Sequence, residues 1–208
     1  MTEPLYLVGG GGHCRSCIEV IESTPYQIAG IIDGDTGLRE VAGYPVIGDD
    51  SSIASLSQSG ATFMITIGQV DTPGTRIKLF ERIILAGGRL ALIVDKSAFV
   101  SKRSAVADGT IVMKQAVINA GAVIGKNCII NNMALVEHDC RVGDHTHIST
   151  GAIVNGNVTI GTGVFVGSQA VIIHGITVGD GVVVGAGAVV INDLHSPGRY
   201  AGNPARKI

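Results

Sequence analysis

Residues 123–146, VIGKNC IINNMA LVEHDC RVGDHT, form four hexads, each with Ile or Val at its second position. The pattern extends in both directions through seventeen consecutive hexads, from Ile93 to Leu194. The sixth position is small or of modest size throughout, and third positions are often Gly, Asn, Asp or Ser. β-Branched residues favour short strands, and Gly or Asn favour tight corners where φ is positive. Three hexads therefore predict one triangular coil of a parallel β-helix, in which residues eighteen apart stack about 4.8 Å from each other.

Composition agrees with such a repetitive β architecture. The 208 residues include 30 glycines, aromatic residues make up 4%, and tryptophan is absent. The aliphatic second positions, each stabilising by roughly 1.5–3 kcal/mol when buried, are expected to stack into a sufficient core. Hydrophobic residues reach 46% and charged residues 15%, which excludes a disordered chain.

Charge and cysteine content limit the partners and the compartment. The formal net charge of −2 disfavours binding of nucleic acid as the main function. No apolar run reaches the roughly 18 residues of a membrane span, and Met1–Pro4 carries no basic segment typical of a secretory signal. Four cysteines without such a signal indicate a reducing compartment. We therefore expect a cytoplasmic protein with no membrane insertion.

Residues 1–92 alternate strands with helices and predict a small Rossmann-like α/β domain, followed by the β-helix domain over residues 93–208. The predicted strands are Leu5–Val8, Ile28–Ile32, Phe63–Ile67 and Leu90–Val94, and the predicted helices span about Arg15–Ser23 and Thr75–Leu85. The tail from Gly198 to Arg206 leaves the hexad pattern and is predicted to be a loop.

A glycine-rich turn follows the first strand, at Gly9–His13. Such a turn exposes backbone N–H groups at a helix N-terminus, where a phosphate is favoured. Asp33 and Asp35 follow the next strand, at the place where a ribose or base is recognised. Gly9 and Gly11 match the first two glycines of the dinucleotide fingerprint G-x-G-x-x-G, but Cys14 occupies the place of the third. No Walker A lysine is present. The pattern indicates a nucleotide-type ligand without ATP hydrolysis, and a plain tight turn is the alternative.

The four cysteines indicate little chemistry. Cys14 and Cys17 form a CxxC at a helix start, where a thiolate is stabilised, but no thioredoxin-like context or second zinc-ligand pair surrounds them. Cys128 and Cys140 occupy sixth positions of hexads and are predicted to be small core residues.

Residues 131–147 are the segment richest in titratable groups. Three histidines and three carboxylates lie within eleven residues: Glu137, His138, Asp139, Asp144, His145 and His147. His138 is the fourth residue of its hexad, so it is expected near a corner and pointing outward, with Gly156 and His174 stacked above it. A carboxylate beside a histidine fixes its tautomer and raises its basicity, which favours a general base. Solvated surface histidines and a zinc site shared between subunits are the alternatives.

Together these motifs resemble the bacterial sugar acetyltransferase family with hexapeptide repeats. That family includes UDP-4-amino-sugar N-acetyltransferases, GDP-perosamine N-acetyltransferases and sialic acid O-acetyltransferases. The resemblance rests on Gly11-Gly12-His13, Glu137-His138-Asp139, the histidine nine residues later, and Gly202-x-Pro204-Ala205-Arg206, and it covers nearly the whole chain. It implies a left-handed β-helix, a homotrimer and acetyl-CoA as co-substrate. No metal is expected, because Asn and Gly flank the histidines and their spacing is not that of metal ligands.

The resemblance also implies roles for particular residues. His138 matches the general base that takes a proton from the sugar amine, and Asp139 matches the carboxylate that polarises it; whether Glu137 shares this task stays open. The implied acetyl-CoA-binding residues are Asn131, His147, Gly156, Gly202, Pro204 and Arg206. The implied sugar-substrate-binding residues are Gly10, Gly12, His13, Asp33, Asp35, Gly68 and Gln69.

Three functions remain open from the sequence. The glycine loop with Asp33 and Asp35 favours N-acetylation of a nucleotide-linked amino sugar. The segment Gly68–Arg76, longer than in several amino-sugar enzymes, favours O-acetylation of sialic or a related nonulosonic acid. A catalytically silent trimer that binds nucleotide sugars is disfavoured by the crowded His138 cluster. No Ser or Cys lies beside His138, so direct transfer through a ternary complex is expected.

Overall fold

The computed structural model describes residues 4–208. Met1–Glu3, part of the segment in which a secretory signal was sought, lie outside the described residues. The chain divides into two compact units. The first contains the described residues through Gly68 together with Gly74–Lys96, and the second contains Gln69–Pro73 and Ser97–Ile208.

The first unit is an α/β domain around a mainly parallel sheet. Its elements are β1 (Pro4–Val8), α1 (Gly12–Ile21), β2 (Gln27–Ile32), β3 (Glu40–Val41), β4 (Tyr44–Gly48), α2 (Ser52–Gln58), β5 (Thr62–Ile65), α3 (Gly74–Leu85), β6 (Arg89–Leu90) and β7 (Ile93–Val94). The strand order of the sheet is β3-β4-β2-β1-β5-β6, with β3 antiparallel to β4 and the other neighbours parallel. The order reverses at β1, which is where open α/β sheets bind ligands.

Helix α1 follows the glycine turn without a break. Four of its five buried residues, Cys14, Cys17, Ile18 and Ile21, recur at three- and four-residue intervals on one face, and Val20 is the fifth. The predicted helix began three residues too late, because glycines are poor helix formers and masked the first turn. Thr24 donates from Oγ1 to the Ile21 carbonyl at 2.6 Å, which satisfies a carbonyl at the helix end.

Three elements of this unit were not predicted from the sequence. The β3–β4 pair and α2 are short, and the buried residues of α2 are Ile53 and Ser57 alone. Seven residues with so few apolar positions carry no clear helical period, so tertiary packing determines this helix. The predicted strand Leu90–Val94 is in fact β6 and β7, separated by Ala91 and Leu92.

The second unit is a parallel β-helix. Its strands β8 to β23 are Phe99–Val100, Ala105–Val106, Ile111–Val112, Val117–Ile118, Val123–Ile124, Ile129–Ile130, Leu135–Val136, Arg141–Val142, His147–Ile148, Ile153–Val154, Thr159–Ile160, Phe165–Val166, Val171–Ile172, Thr177–Val178, Val182–Val184 and Val189–Val190. Partners in successive coils are eighteen residues apart, as in the register Ile129 to His147 to Phe165. Three hexads therefore complete each coil, as predicted.

The second position of each hexad points into the β-helix. From Val112 to Val190 these aliphatic residues are at most 3% exposed, whereas Val94, Val100 and Val106 are only partly buried. Cys128 and Cys140 are fully buried, which confirms them as core residues. The expected core is therefore present, less complete in the first hexads.

Corner geometry differs from the expectation in one respect. The left-handed φ values fall at the fifth position of each hexad, from Gly109 to Gly187, and not at the Gly-, Asn- and Ser-rich third position. Third-position glycines are explained by steric constraint. A methyl group on Gly143 would lie 2.6 Å from the Gly161 carbonyl carbon in the next coil. Glycine is thus needed at the third position for close backbone approach.

The C-terminal tail forms strands where a loop was predicted. Gly198–Ala201 (β24) pairs in parallel with Val182–Val184, and Arg206–Lys207 (β25) pairs with it in antiparallel fashion. The expectation was wrong because the partner of β24 is the last coil, and hexad periodicity says nothing about a strand that adds to the end of the helix. Within residues 4–208, no helix is long and apolar enough to cross a membrane.

Candidate active site

His138 and Asp139 form a hydrogen-bonded pair on a corner of the β-helix. His138 Nδ1 lies 2.9 Å from Asp139 Oδ2, and both side chains are more than half exposed, at 56% and 66%. Because an ionised carboxylate only accepts hydrogen bonds, Nδ1 carries a proton, and in the neutral ring Nε2 presents a free lone pair. The pair therefore has the geometry of a histidine base oriented by a carboxylate.

Glu137 contacts the backbone of His138 rather than its ring. Glu137 Oε2 accepts from the His138 N–H at 3.2 Å and from Asn119 Nδ2 at 2.9 Å. Of the two neighbouring carboxylates, Asp139 contacts the imidazole and Glu137 anchors the peptide that carries it. Asn119 was not identified from the sequence, although it lies eighteen residues before Glu137 and the repeat could have indicated it.

Gly156, one coil after His138, lies against the imidazole of that residue. A methyl group placed on Gly156 would come within 2.6 Å of His138 Nε2, so the ring occupies the space that a side chain would take. The Gly156 N–H makes no hydrogen bond within residues 4–208. An unpaired backbone donor next to the free Nε2 is available to a developing oxyanion.

His147 and Asn131 form a second, buried pair. His147 is 5% exposed; its Nδ1 lies 2.6 Å from the Gln69 carbonyl oxygen and its Nε2 lies 3.0 Å from Asn131 Nδ2. The carbonyl can only accept and the amide nitrogen can only donate, so Nδ1 carries the proton and both ring nitrogens are occupied. In this arrangement His147 has no free lone pair to act as a base.

The segment Gln69–Pro73 supplies that carbonyl and belongs to the second unit. Gln69 is 2% exposed and donates from Nε2 to the Val164 carbonyl at 3.3 Å. Asp71 receives two hydrogen bonds from Arg199 Nη2, which ties the segment to β24. Gln69, which the sequence predicted to bind the sugar, lies beside His147, and its sugar-binding role stays a prediction.

In the first unit, Asp33 organises the glycine turn. Asp33 Oδ2 accepts from the Gly10 N–H at 2.5 Å and Oδ1 accepts from the Asp35 N–H at 2.8 Å. Asp35 in turn accepts from the Gly37 N–H at 2.9 Å. Gly12 is the exposed first residue of α1. Gly10, Asp33 and Asp35 are therefore brought together as the sequence predicted, with both Asp33 oxygens already engaged by backbone.

His13 lies on α1, next to Gly68. A methyl group on Gly68 would be 3.4 Å from His13 Cβ, an ordinary contact. Burial, with the guanidinium of Arg76 adding to the effect, lowers the pKa of His13 to about 4. His13 is therefore neutral at physiological pH.

A cleft of about 500 Å³ opens at the carboxyl ends of β1 and β2. Gly9, Asp33 and Gly34 line one side of it. Helix α3 lines another with a stripe at helical spacing: Thr75, Lys78, Leu79 and Arg82. Arg82 pairs with Asp50 at 3.4 Å. The cationic residues on α3 were missed from the sequence because nothing local relates them to the glycine turn.

The remaining candidate features are the CxxC cysteines, the C-terminal turn and the possible metal site. Burial raises the pKa of the Cys14 and Cys17 thiols, which disfavours the thiolate that redox chemistry needs. Gly202, Pro204 and Arg206 lie in and beside the turn between β24 and β25, which includes the cis peptide bond Asn203–Pro204. Among residues 4–208, no group of three His, Cys, Asp or Glu side chains is placed to hold a metal ion.

A parallel β-helix of hexapeptide coils, with a carboxylate-oriented histidine on its corner and an α/β domain in the same chain, defines a hexapeptide acyltransferase. Comparisons with known proteins agree with this class. The family model described as PglD N-terminal domain matches residues 4–83, and the model described as bacterial transferase hexapeptide (six repeats) matches residues 157–192. A search of curated proteins finds no match.

Two solved structures resemble the chain over its whole length. A mutant of perosamine N-acetyltransferase from Caulobacter crescentus, in complex with CoA and GDP-perosamine, is 34% identical, with 100% of this chain and 98% of that chain covered and a TM-score of 0.94. The acetyltransferase domain of PglB from Neisseria gonorrhoeae, in complex with acetyl coenzyme A, is 32% identical, with 100% of both chains covered and a TM-score of 0.94.

The chain therefore belongs to the bacterial sugar acetyltransferase family with hexapeptide repeats. The predicted fold class, a Rossmann-like α/β domain followed by a left-handed parallel β-helix, is confirmed. The predicted enzyme class, an acyltransferase, is confirmed as well. CoA or its acetyl ester is present in the structures of these relatives, in agreement with the predicted co-substrate.

Proposed function

We propose that this enzyme transfers the acetyl group of acetyl-CoA to the amine of a nucleotide-linked amino sugar in bacterial glycan biosynthesis. One arrangement carries the proposal: His138, with Asp139 on Nδ1 at 2.9 Å, presents its free Nε2 next to Gly156, whose N–H is unpaired within the described residues. A base and an oxyanion donor side by side are what direct aminolysis of a thioester requires.

In the proposed reaction, the amine nitrogen attacks the thioester carbonyl carbon while His138 Nε2 accepts a proton from that nitrogen. The Gly156 N–H donates to the oxyanion of the tetrahedral intermediate. When the C–S bond breaks, the proton on Nε2 passes to the CoA sulfur, so that amide and thiol leave and His138 is again neutral. Asp139 stabilises the imidazolium that exists between these two transfers.

The magnitudes suit this assignment. A positioned base supplies about 10²–10⁴ in rate. One oxyanion donor contributes about 2.7–4 kcal/mol. Alignment of the two substrates in a ternary complex supplies the remainder. Acetyl-CoA is assigned to residues of the second unit: His147, Asn131, Gly156, Gly202, Pro204 and Arg206.

The nucleotide part of the acceptor is assigned to the first unit, at the glycine turn and its cleft. The assigned residues are Gly10, Gly12, His13, Asp33, Asp35 and Gly68. Lys78 adds a cation on the side of the cleft that α3 lines, suited to the diphosphate of a nucleotide sugar. The Gln69 carbonyl, 2.6 Å from His147 Nδ1, supports a further role for this residue in orienting that ring.

We also propose that the enzyme is a homotrimer, as the family resemblance implies. The second face of the β-helix presents an outward-facing apolar residue in every coil: Phe99, Val117, Leu135, Ile153, Val171 and Val189. The third face presents Ala105, Val123, Arg141, Thr159 and Thr177 at the equivalent places, so its apolar residues are confined to its first coils. A continuous apolar stripe on one face indicates self-association.

The proposal is tested by a thiol assay of CoA release from acetyl-CoA, with a UDP-4-amino-sugar, GDP-perosamine and sialic acid as parallel acceptors. We expect turnover with one nucleotide amino sugar and a loss of about 10²–10⁴ in kcat for His138→Ala. His195→Ala is the matched control, because His195 is 72% exposed and lies outside the site. Turnover with sialic acid alone would replace N-acetylation by O-acetylation, and equal activity of His138→Ala and His195→Ala would refute the general base.

The cleft assignment has its own test. Lys78→Ala is expected to raise KM for the nucleotide sugar by roughly two- to fivefold, since one exposed charge contributes about 1 kcal/mol or less. KM for acetyl-CoA should not change, and Lys102→Ala, at an exposed lysine in the second unit, should alter neither. An unchanged KM for the nucleotide sugar in Lys78→Ala would remove Lys78 from the binding site.

A further inference from the structure

Gly121 lies one coil before Asp139, at the same fifth hexad position. The Asp139 N–H donates to the Ala120 carbonyl at 3.0 Å, which holds the two corners in register. A methyl group on Gly121 would overlap Asp139 Oδ1 and would lie 3.3 Å from its Cγ. The carboxylate that contacts His138 thus occupies the space above a residue without a side chain.

The backbone conformation alone does not require glycine at position 121. Gly121 has φ +78°, but Gln115, Asn127 and Met133 adopt φ of +58°, +53° and +58° at the fifth position of their hexads. The β-helix therefore accepts non-glycine residues in this conformation at neighbouring corners.

Stacking of successive coils does not require glycine either. Met133 follows Gln115 by eighteen residues, and His145 follows Asn127 in the same way, so both of these stacks carry two side chains. In the second stack the side chains even bond, with Asn127 Nδ2 2.9 Å from His145 Nδ1. What distinguishes position 121 is the side chain of Asp139.

Asp139 has little freedom to move away. Its backbone N–H is bound to the coil below, and its Oδ2 must stay 2.9 Å from His138 Nδ1 to keep the imidazole oriented. A carboxylate is rigid and planar, so rotation that frees Oδ1 from a new methyl group also moves Oδ2 from Nδ1.

We infer that Gly121 is a positioning residue: its missing side chain allows Asp139 to orient His138. The inference rests on the proposed function, in which His138 is the base. Any side chain at position 121 is expected to displace the carboxylate and to slow the chemical step while leaving substrate binding in place.

The first experiment compares Gly121→Ala with Gly181→Ala. Gly181 occupies a fifth position with φ +65°, and a methyl group added there would have no atom within 4 Å, so this control measures the strain of alanine alone. We expect kcat to fall roughly 10- to 100-fold in Gly121→Ala, a part of the 10²–10⁴ that a positioned base supplies. KM for both substrates and the Tm should match those of Gly181→Ala. Equal kcat values in the two variants would overturn the inference.

A double-mutant cycle with Asp139→Ala tests whether the effect passes through the carboxylate. With the carboxylate removed, Gly121→Ala should cost less than a further twofold in kcat, and full additivity would contradict the inference. Gly121→Asn, compared with Gly181→Asn, repeats the test if the alanine variant does not fold, because asparagine tolerates positive φ.

A crystal structure of Gly121→Ala separates this inference from the proposed function. Lengthening of the His138 Nδ1 to Asp139 Oδ2 distance beyond about 3.5 Å, where a hydrogen bond is lost, supports the positioning role even if no acceptor is turned over. An unchanged 2.9 Å distance would overturn it, whatever the activity.

Discussion

At the level of single residues, the two site histidines differ in which ring nitrogen is available. His138 is half exposed and has one ring nitrogen bound to a carboxylate, whereas His147 is buried with both nitrogens bound. A free lone pair on a neutral imidazole is what proton transfer requires. This difference supports the proposed base role of His138 and leaves His147 without a lone pair for that role.

The charge of Asp139 can be separated from its shape. Asp139→Asn keeps an acceptor for His138 Nδ1 but replaces a charge-assisted hydrogen bond by a neutral one, which is about half as strong. We expect kcat to fall roughly five- to tenfold, for a loss near 1 kcal/mol, with KM for acetyl-CoA unchanged. Steady-state kinetics of wild type, Asp139→Asn and Asp139→Ala provide the check, and kcat should fall further in Asp139→Ala than in Asp139→Asn. A kcat of Asp139→Asn equal to that of wild type would show that the charge is not used.

His13 makes stability depend on pH. Its native pKa is about 4 against an ordinary 6.5, so below pH 6.5 the unfolded chain takes up a proton that the native state excludes. The free energy of unfolding should be insensitive to His13 above pH 6.5 and should fall as the pH decreases towards 4, by roughly 3 kcal/mol in total.

Urea unfolding of wild type and His13→Gln between about pH 4 and 8 measures this effect. The free energy of unfolding of His13→Gln, relative to that of wild type, should increase as the pH falls from 6.5 to 4. His195→Gln, at an exposed histidine, should follow wild type. A pH-independent difference for His13→Gln would contradict the lowered pKa.

At the level of secondary-structure elements, each hexad position has its own physical requirement. Second positions are buried aliphatics, fifth positions hold the left-handed corner, and several third positions must be glycine because the next coil approaches closely. The residues of the site use this frame: His138 and Asp139 occupy the fourth and fifth positions of one corner, where side chains project to solvent.

The third-position requirement predicts a sharp difference between two glycines. Gly143→Ala places a methyl group 2.6 Å from backbone of the next coil, which cannot move aside, whereas Gly181→Ala meets no atom within 4 Å. We expect Gly143→Ala to destabilise the β-helix by about 1–3 kcal/mol or more. Gly181→Ala should lower Tm by much less, and thermal unfolding followed by circular dichroism measures both. Equal Tm values would contradict the steric explanation.

At the level of the whole molecule, the apolar stripe on the second face provides a test of the homotrimer that the family resemblance implies. Leu135 and Ile153 lie in the middle of this stripe, and a charge there must be desolvated if a neighbouring chain packs against it. Light scattering after size exclusion should give a trimer for wild type and a monomer for Ile153→Lys. Thr159→Lys, the same change on the third face, should stay trimeric. A monomeric wild type would remove the trimer from the proposal.

The hexad pattern allowed the β-helix, its register and the position of His138 on an outer corner to be predicted from the sequence. A strict period of six repeats one local environment, so each residue's place in the coil follows from its number. The glycine turn and Asp33 were likewise predictable, because both lie at strand ends in a local β–α pattern. The resemblance carried by these same residues indicated the family.

Other features depended on the tertiary structure. The carbonyl partner of His147 comes from Gln69, 78 residues away, and no period relates the two. Strand β24 and helix α2 form because partners distant in sequence cover them. Lys78 reaches the cleft only because α3 packs beside the strand ends. The order of residues along the chain specifies the repeating frame and the residues at its corners, since short-range geometry suffices for these. Which atoms meet across the chain, and therefore which histidine is free to act as a base, was determined by three-dimensional packing, because hydrogen bonds between distant residues leave no periodic trace.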